Sequence, residues 1–323
     1  MGGQPRKVTD ADIRDIRHIG IAGIAKRTGA NYRTVQRAAD GYEARTGERI
    51  VSPLGASGHI MQRVSETHRI PWEIRDGIVV VASDAHYWPG KPPFMHKALL
   101  HFLNDFRQRK LLRGFIANGD MLDFAAISRF PLINWEKQPE PQEELETCID
   151  RMHELAVASG RVPKAWPGGN HDLRFNRYIA ENAKALRGVA GTHLKDHFPV
   201  WPPCWSVMIN ESVHVKHIGP SQGENAIRIN VNKAGIHIVT SHKHAANVVQ
   251  VTKMTGDLYG CDTGCIAEIS GPQFLYVQDN VRDWREAFAV LQFSNGRLLP
   301  PQLVTRWLHA PNAVVYCNEV IRI

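Results

Sequence analysis

The sequence predicts an α/β fold preceded by a small all-α unit. From residue 77 onward, short apolar runs alternate with amphipathic segments, as strands and helices do in βαβ units. Several of these runs end at polar turns that contain glycine, which is typical of buried parallel strands. Residues 1–50 show helical periodicity without such runs, and 51–65 have no convincing period. We therefore expect a helical domain at 1–50, a linker at 51–76 and an α/β domain at 77–323.

The first 50 residues contain three segments with helix signals. Thr9 can cap the first helix, and Asp12, three residues later, completes a capping box. Two further helices are expected at 21–28 and 32–39, separated by a turn at Gly29. The first 50 residues are therefore expected to form a small tri-helical domain.

The spacing of Ala25, Gly29 and Val35 resembles that of resolvase-like or phage-type helix-turn-helix modules, which bind DNA. The resemblance implies that the second helix of the pair presents side chains to base edges and phosphates. These DNA-binding candidates are Arg33, Thr34, Gln36 and Arg37. The alternative is a structural or oligomerising helical cap, because small packed helices share the same spacing.

The α/β region begins with the apolar run 78–82, which predicts a strand buried on both faces. The next expected elements are a helix at 96–109, a strand at 114–117, a helix at 142–159 and a strand at 162–166. The alternation ends after residue 201. From there the patterns predict strands at 205–209, 213–217, 236–240 and 247–252, and a hairpin formed by 288–293 and 298–304.

Five polar motifs occur in fixed order at or near the predicted strand ends. They are Ser83-Asp84-Ala85-His86, Gly119-Asp120-Met121-Leu122-Asp123, Gly168-Gly169-Asn170-His171-Asp172, Val215-Lys216-His217-Ile218-Gly219 and Thr240-Ser241-His242-Lys243-His244. Because ligands of open α/β sheets bind beyond the carboxyl ends of strands, these motifs should meet in space. Mixed carboxylate and imidazole donors favour Mn²⁺, Fe²⁺ or Zn²⁺ over Ca²⁺. The motifs therefore predict a site for two divalent metal ions.

Through these motifs, residues 77–305 resemble the calcineurin-like metallophosphoesterase superfamily, and within it the Mre11/SbcD-like nuclease branch. The resemblance implies a four-layer αββα sandwich and two divalent ions, with Mn²⁺ expected first and Fe²⁺, Zn²⁺ or Mg²⁺ as alternatives. It further implies one ion bound by Asp84, His86, Asp120 and His244. The second ion would be bound by Asp120, which bridges the pair, and by Asn170, His217 and His242.

The resemblance also implies roles for three residues that are not ligands. His171 would stabilise charge on the substrate phosphate or protonate the leaving oxygen. Asp123 and Asp172 would orient metal-bound imidazoles. Hydrolysis would proceed by in-line attack of a hydroxide held between the two ions.

Three local questions stay open at the level of sequence. His214 is the alternative to His217, since both lie on one predicted strand. Ser241 stands where the family has glycine, and it would be strained if that position required a positive φ. Tyr87 and Trp88, next to the first motif, either pack in the core or stack on a substrate ring.

Composition excludes several classes of protein. No window approaches the roughly 20 apolar residues that a membrane span needs, and the first 14 residues are polar and charged. Five cysteines without a pairing pattern argue against a disulfide framework. We therefore expect a cytoplasmic protein that has no membrane partner. The net charge of +7 favours a polyanionic partner.

Together these patterns predict a two-metal-dependent phosphodiesterase, most specifically a DNA nuclease with DNA as its partner. One alternative is a phosphatase or phosphodiesterase that acts on small molecules or phosphoproteins. A second is a DNA-binding regulator with a degenerate phosphoesterase domain. Because related nucleases often dimerise, a homo-oligomer is also open.

Overall fold

The computed structural model describes residues 7–48, 50, 69–129, 137–280 and 282–323. Contacts divide the chain into two compact units, Met1–Thr67 and His68–Ile323, which we call the helical unit and the sheet unit. None of the described helices is both long and apolar enough to cross a lipid bilayer.

The helical unit contains three described helices. They are α1 (Asp10–Arg14), α2 (Ile16–Thr28) and α3 (Tyr32–Thr46). The Thr9–Asp12 capping box starts α1, and Gly29 ends α2 in the left-handed conformation with φ 72°. Gly20, with φ 68°, kinks α2, so its second half matches the segment predicted at 21–28. The core of the helical unit is made of apolar side chains, among them the fully buried Ile24 and Val35.

The sheet unit contains two mixed sheets. The large sheet has the order β15-β14-β13-β11-β2-β3-β4-β5, with β12 paired to β11. Its strands are β2 (Gly77–Ala82), β3 (Leu112–Ala117), β4 (Lys164–Pro167), β5 (Pro203–Cys204), β11 (Ala287–Ser294), β12 (Arg297–Leu298), β13 (Gln302–Arg306), β14 (Ala313–Tyr316) and β15 (Glu319–Arg322). Strands β2 to β5 pair in parallel, whereas β11, β13, β14 and β15 pair antiparallel.

The small sheet has the order β1-β6-β7-β8-β10-β9. Its strands are β1 (Arg69–Trp72), β6 (Ser206–Ile209), β7 (Val213–Val215), β8 (His237–Thr240), β9 (Asn247–Lys253) and β10 (Gly256–Asp262). The described residues of the unit also form four α-helices: α4 (Phe94–Gln108), α5 (Pro141–Ser159), α6 (Leu173–Asn182) and α7 (Ala226–Ala234).

Alternating side chains on β2 define the layers. Val80 points into the core that the large sheet shares with α4 and α5. Val79 and Val81 point into a second core between the two sheets. On the outer face of the small sheet, Val231 of α7 packs against Ile238. The layer order is therefore helix, sheet, sheet, helix.

Two differences from the predicted elements have simple causes. Residues 51–68 of the predicted linker lie outside the described residues, but Arg69–Trp72 forms β1 and pairs with β6, so this part was wrongly predicted as linker. With only four residues, it is too short to show a period. The strand predicted at 298–304 is split into β12 and β13 around Pro300 and Pro301, which have no backbone N–H to donate.

Candidate metal centre

The predicted ligands lie just beyond strand ends. Asp84, Asp120 and Asn170 follow β2, β3 and β4, which are parallel neighbours. His217 and His242 follow β7 and β8, which are also parallel. The carboxyl ends of both strand sets thus carry the polar side chains, as expected for ligand binding in α/β folds.

The backbone at these positions is strained. Five of the seven predicted metal ligands have a positive φ: Asp84 (52°), His86 (40°), Asp120 (51°), His242 (73°) and His244 (59°). For non-glycine residues this conformation costs roughly 1–2 kcal/mol each. Hydrogen bonds between loops hold it, since the Asp84 and His86 amides donate to the Gly119 and Asp120 carbonyls at 2.9 and 3.1 Å. Such strain is concentrated at functional sites.

The first ligand group consists of Asp84, His86 and His244, whose ligand atoms lie within 4.8 Å of one another. Asp84 Oδ1 lies 3.0 Å from His244 Nε2 and 4.0 Å from His86 Nε2. Burial opposes ionisation of Asp84, but the imidazoles of His244 and His217 outweigh it and lower its pKa to about 2. The carboxylate is therefore ionised at neutral pH, as a metal ligand must be.

The second ligand group consists of Asp120, His217 and His242, again within 4.8 Å. Asp120 Oδ2 lies 3.0 Å from His217 Nε2 and 4.0 Å from His242 Nδ1. Despite burial, the positive charge of His217 lowers the pKa of Asp120 well below its ordinary value. His242 also joins the two groups, because its backbone amide donates to Asp84 Oδ2 at 3.1 Å.

Asn170 belongs to the same loop system. It follows Gly169, where a Cβ would overlap Asp120 Oδ1, so only glycine allows this loop to approach the carboxylate. Gly119 is likewise required, because its φ is 87° and a Cβ there would overlap the ring of His217. His214, the alternative to His217, lies on β7 opposite Met208 and Ile238 and belongs to neither ligand group.

Asp123 connects a ligand to the predicted non-ligand histidine. Its Oδ1 lies 2.9 Å from His86 Nδ1 and 2.9 Å from His171 Nδ1. Burial disfavours the charged carboxylate, but the two histidines lower the pKa of Asp123. Burial also disfavours a charged His171, yet Asp123 and Asp120 raise the pKa of its ring. Asp123 therefore fixes the orientation of both imidazoles.

Asp172 does not orient an imidazole, which corrects the expected role. Its two oxygens accept backbone N–H bonds from Asp120, Met121 and Leu122 at 2.8–3.2 Å, and also from Gly169. The indole of Trp166 donates to it as well. Burial and the charge of Asp120 raise the pKa of Asp172 to about 6. It therefore ties the Asp120 loop to the Gly169 loop, and in this structure it is a positioning residue.

The contacts of two residues with His217 were not predicted from the sequence. The carbonyl oxygen of Asn118 lies 2.7 Å from His217 Nδ1, and Ser241 Oγ lies 2.9 Å from the same atom. Ser241 does not have a positive φ, so its backbone is not strained in the way that the sequence left open. Its hydroxyl contacts the ring of His217, which a glycine at this position could not do. Both contacts join residues that are far apart in sequence, so the motifs around these residues gave no sign of them.

Several buried polar atoms of the predicted ligands have no hydrogen-bond partner among the described residues. They are His86 Nε2, Asn170 Oδ1 and His244 Nδ1. Each unpaired buried polar atom costs about 1–3 kcal/mol. Because the three belong to residues around two ionised carboxylates, a divalent cation bound at this centre would account for them. The donor set of carboxylate, imidazole and amide oxygen suits Mn²⁺, Fe²⁺ or Zn²⁺.

One other expectation concerns Tyr87 and Trp88 beside the centre, of which Trp88 is half-buried. Tyr87 is only 1% exposed, and its hydroxyl lies 2.8 Å from His96 Nδ1, so it packs in the core and cannot stack on a substrate. His96 is likewise buried, and its Nε2 lies 2.7 Å from Glu154 Oε2.

The DNA-binding candidates lie on α3 of the helical unit. Arg33 and Arg37 are exposed. Thr34 Oγ1 donates to Asn31 Oδ1 in the helix cap, and Gln36 Nε2 donates to Asp40 Oδ1. The two arginines are therefore better placed for an external partner than Thr34 or Gln36.

No protein-family model matches this sequence, and no curated protein matches it. Among solved structures, Vps29 of Chaetomium thermophilum is 8% identical with a TM-score of 0.38, over 76% of this chain and 97% of that one. A serine/threonine phosphatase from Saccharomyces cerevisiae is 13% identical with a TM-score of 0.34, over 78% and 87%. Nuclease MPE of Pseudomonas putida is 14% identical with a TM-score of 0.29, over 69% and 86%. At such values, a functional conclusion depends on the geometry of the site itself.

Proposed function

We propose that this protein is a metal-dependent phosphodiesterase of the calcineurin-like metallophosphoesterase superfamily and that it cleaves DNA. The observation that carries the proposal is the junction of two carboxylate–imidazole groups through His242, with three buried ligand atoms unpaired. A pair of divalent ions bound there would supply an activated water and would neutralise charge on the substrate phosphate.

The chain itself positions the groups around that centre. Asp123 fixes the ring of His171, whose side chain is 20% exposed and so accessible to substrate. Arg174 Nη1 donates to the Asp123 carbonyl at 2.8 Å, and its Nη2 lies 3.3 Å from His171 Nε2. The ring of His171 and the guanidinium of Arg174 therefore form one polar pair beside the ligands. We assign them to stabilising the charge that develops on the phosphate oxygens.

DNA as substrate is supported by charge. The chain carries a net charge of +7, and Arg33 and Arg37 are exposed on α3 of the helical unit. We propose that these arginines contact the DNA backbone or bases, which a helix-turn-helix role would require. The Mre11/SbcD-like branch, cytoplasmic action and self-association are further parts of the proposal.

The test is a side-by-side assay of protein stripped with EDTA and reloaded with Mn²⁺, Fe²⁺, Zn²⁺ or Mg²⁺. Defined single- and double-stranded oligonucleotides and bis(p-nitrophenyl) phosphate serve as substrates, and fragments are sized on a gel. We expect metal-dependent cleavage of both the ester and the DNA. Intact DNA under conditions that cleave the ester would identify a small-molecule phosphoesterase. No bound metal and no metal-stimulated activity would identify a degenerate domain.

A further inference from the structure

Two aromatic side chains contact the rings of the first ligand group, and a third contacts one of the two. Phe274, in the 3-10 helix Pro272–Val277, has its ring centroid 5.2 Å from that of His86 and 5.6 Å from that of His244. Trp284 lies 4.9 Å from His244 and 5.2 Å from Phe274. Tyr276 lies 6.3 Å from Trp284. We call Phe274, Tyr276 and Trp284 the aromatic wall.

The members of the wall differ in exposure. Phe274 is 4% exposed and packs against the ligand rings, so it supports the wall from behind. Tyr276 is 52% exposed. Partial burial raises the pKa of Tyr276, and the negative charge of Asp123 adds to the shift. The positive charges of Arg282 and Arg174 act in the opposite direction. Tyr276 therefore presents an exposed ring next to Trp284, which itself contacts the predicted ligand His244.

We propose that Tyr276, backed by Trp284, stacks on the nucleobase that adjoins the scissile phosphate. The inference rests on the proposed phosphodiesterase function and adds a substrate-binding residue to it. Every base offers a π face, so stacking favours nucleotides without selecting a sequence. Arg174 and Arg282 place positive charge near the same ring, which suits a substrate whose phosphates continue along a strand. Tyr276 is thus a specificity residue and takes the stacking role that the buried Tyr87 cannot fill.

The experiment compares two esters that release the same p-nitrophenolate. Thymidine 5′-(p-nitrophenyl phosphate) carries a base, and methyl p-nitrophenyl phosphate does not. For Tyr276→Ala we expect KM for the thymidine ester to rise roughly tenfold, with kcat/KM for the methyl ester unchanged. Tyr276→Phe keeps the ring and should behave as wild type. Leu275→Ala, at the neighbouring position that is 46% exposed, controls for local disruption and should also behave as wild type.

Equal losses on both esters after Tyr276→Ala would overturn the proposal, because the ring would then act on the leaving group or on the fold. Binding of thymidine 5′-monophosphate and of methyl phosphate, measured by calorimetry on the metal-loaded protein, tests the same preference without turnover. Equal affinities for the two ligands in the wild type would also overturn it. Tighter nucleotide binding that is lost in Tyr276→Ala, together with no cleavage of either ester, would support the stacking role and overturn only the phosphodiesterase function.

Discussion

The helical unit and the sheet unit present their candidate functional residues in opposite ways. In the helical unit, Arg33 and Arg37 are exposed, where water satisfies their charge without any ligand. In the sheet unit, Asp84 and Asp120 are at most 1% exposed, and the ligands around them have strained backbones and unpaired atoms. Buried polar atoms that lack hydrogen-bond partners need a ligand to explain them, whereas an exposed charge does not. The metal centre is therefore supported by geometry, and the DNA-binding role only by charge and spacing.

The largest effect is expected from Asp120→Ala, which tests whether the buried centre is a metal site. Asp120 contacts His217 and accepts the His171 amide at 2.8 Å, so its loss removes a charge shared by the whole centre. We expect metal content, measured by inductively coupled plasma mass spectrometry, to fall to background. Phosphodiester hydrolysis should fall by about three orders of magnitude or more.

Asp257→Ala is the matched control for this change, because it removes an exposed carboxylate on β10 of the same unit. It should keep both metal and activity. Circular dichroism distinguishes loss of metal from loss of fold in Asp120→Ala. If the folded variant retained stoichiometric metal, the buried group would have an explanation other than metal binding, and the contrast between the two units would disappear.

A smaller effect is expected from His171→Ala, which separates binding from turnover within the sheet unit. Because His171 is held by Asp123 and is not a predicted ligand, metal content should stay at the wild-type level. Removing a group that stabilises or protonates the reacting phosphate should lower kcat by roughly 10²–10⁴-fold. His153→Ala, at an exposed position on α5, is the control and should leave kcat unchanged. Metal loss in His171→Ala equal to that in Asp120→Ala would make His171 a ligand.

The sequence predicted local elements better than long-range contacts. The run 78–82 predicted β2 because a strand buried on both faces must be apolar throughout. The motif residues were found because metal chemistry restricts the residue types that can serve as ligands. By contrast, Asp172 was assigned to an imidazole, whereas it accepts amides of the Asp120 loop, about 50 positions away. Ser241 was judged by backbone strain alone, because its contact with His217 depends on how β7 and β8 pair.

The contribution of the helical unit is tested by charge removal. We expect the double variant Arg33→Ala/Arg37→Ala to bind DNA roughly tenfold more weakly. The slope of log affinity against log salt concentration should decrease in magnitude by about one to two, since fewer counterions are released. Hydrolysis of the small ester should not change. Arg14→Ala/Arg45→Ala removes the same charge from α1 and α3, where Arg45 makes only an exposed ion pair with Asp10. Fluorescence anisotropy with labelled DNA measures the affinities of the wild type and of both variants. Equal weakening by both pairs would indicate net charge rather than a recognition helix.

The smallest effect concerns Glu144, which ties α5 to the loop after Asp123. Its carboxylate accepts the Phe124 amide and, at 3.3 Å, the Ala125 amide. Burial, and then the charge of Asp123, raise the pKa of Glu144 from 4.5 to about 8. The folded protein therefore holds a proton that the unfolded chain has lost between these pH values. Consequently, the Glu144 contribution to stability is greatest below pH 4.5 and falls as the pH rises towards 8.

Glu144→Gln keeps a neutral side chain of the same shape at every pH, so it should lack this decline. In metal-free protein, urea unfolding is measured at pH 5, 6.5 and 8. The free energy of unfolding of the variant should increase relative to that of the wild type as the pH rises. The gain should be at most about 1.4 kcal/mol per pH unit. Other carboxyl groups whose pKa is raised, such as that of Asp262, are present in both proteins, so their effects cancel in the difference. A difference that stays constant with pH would mean that Glu144 is ionised in the folded protein. The Phe124 and Ala125 amides would then hold a charged Glu144 carboxylate in the core, as the neighbouring histidines hold Asp84.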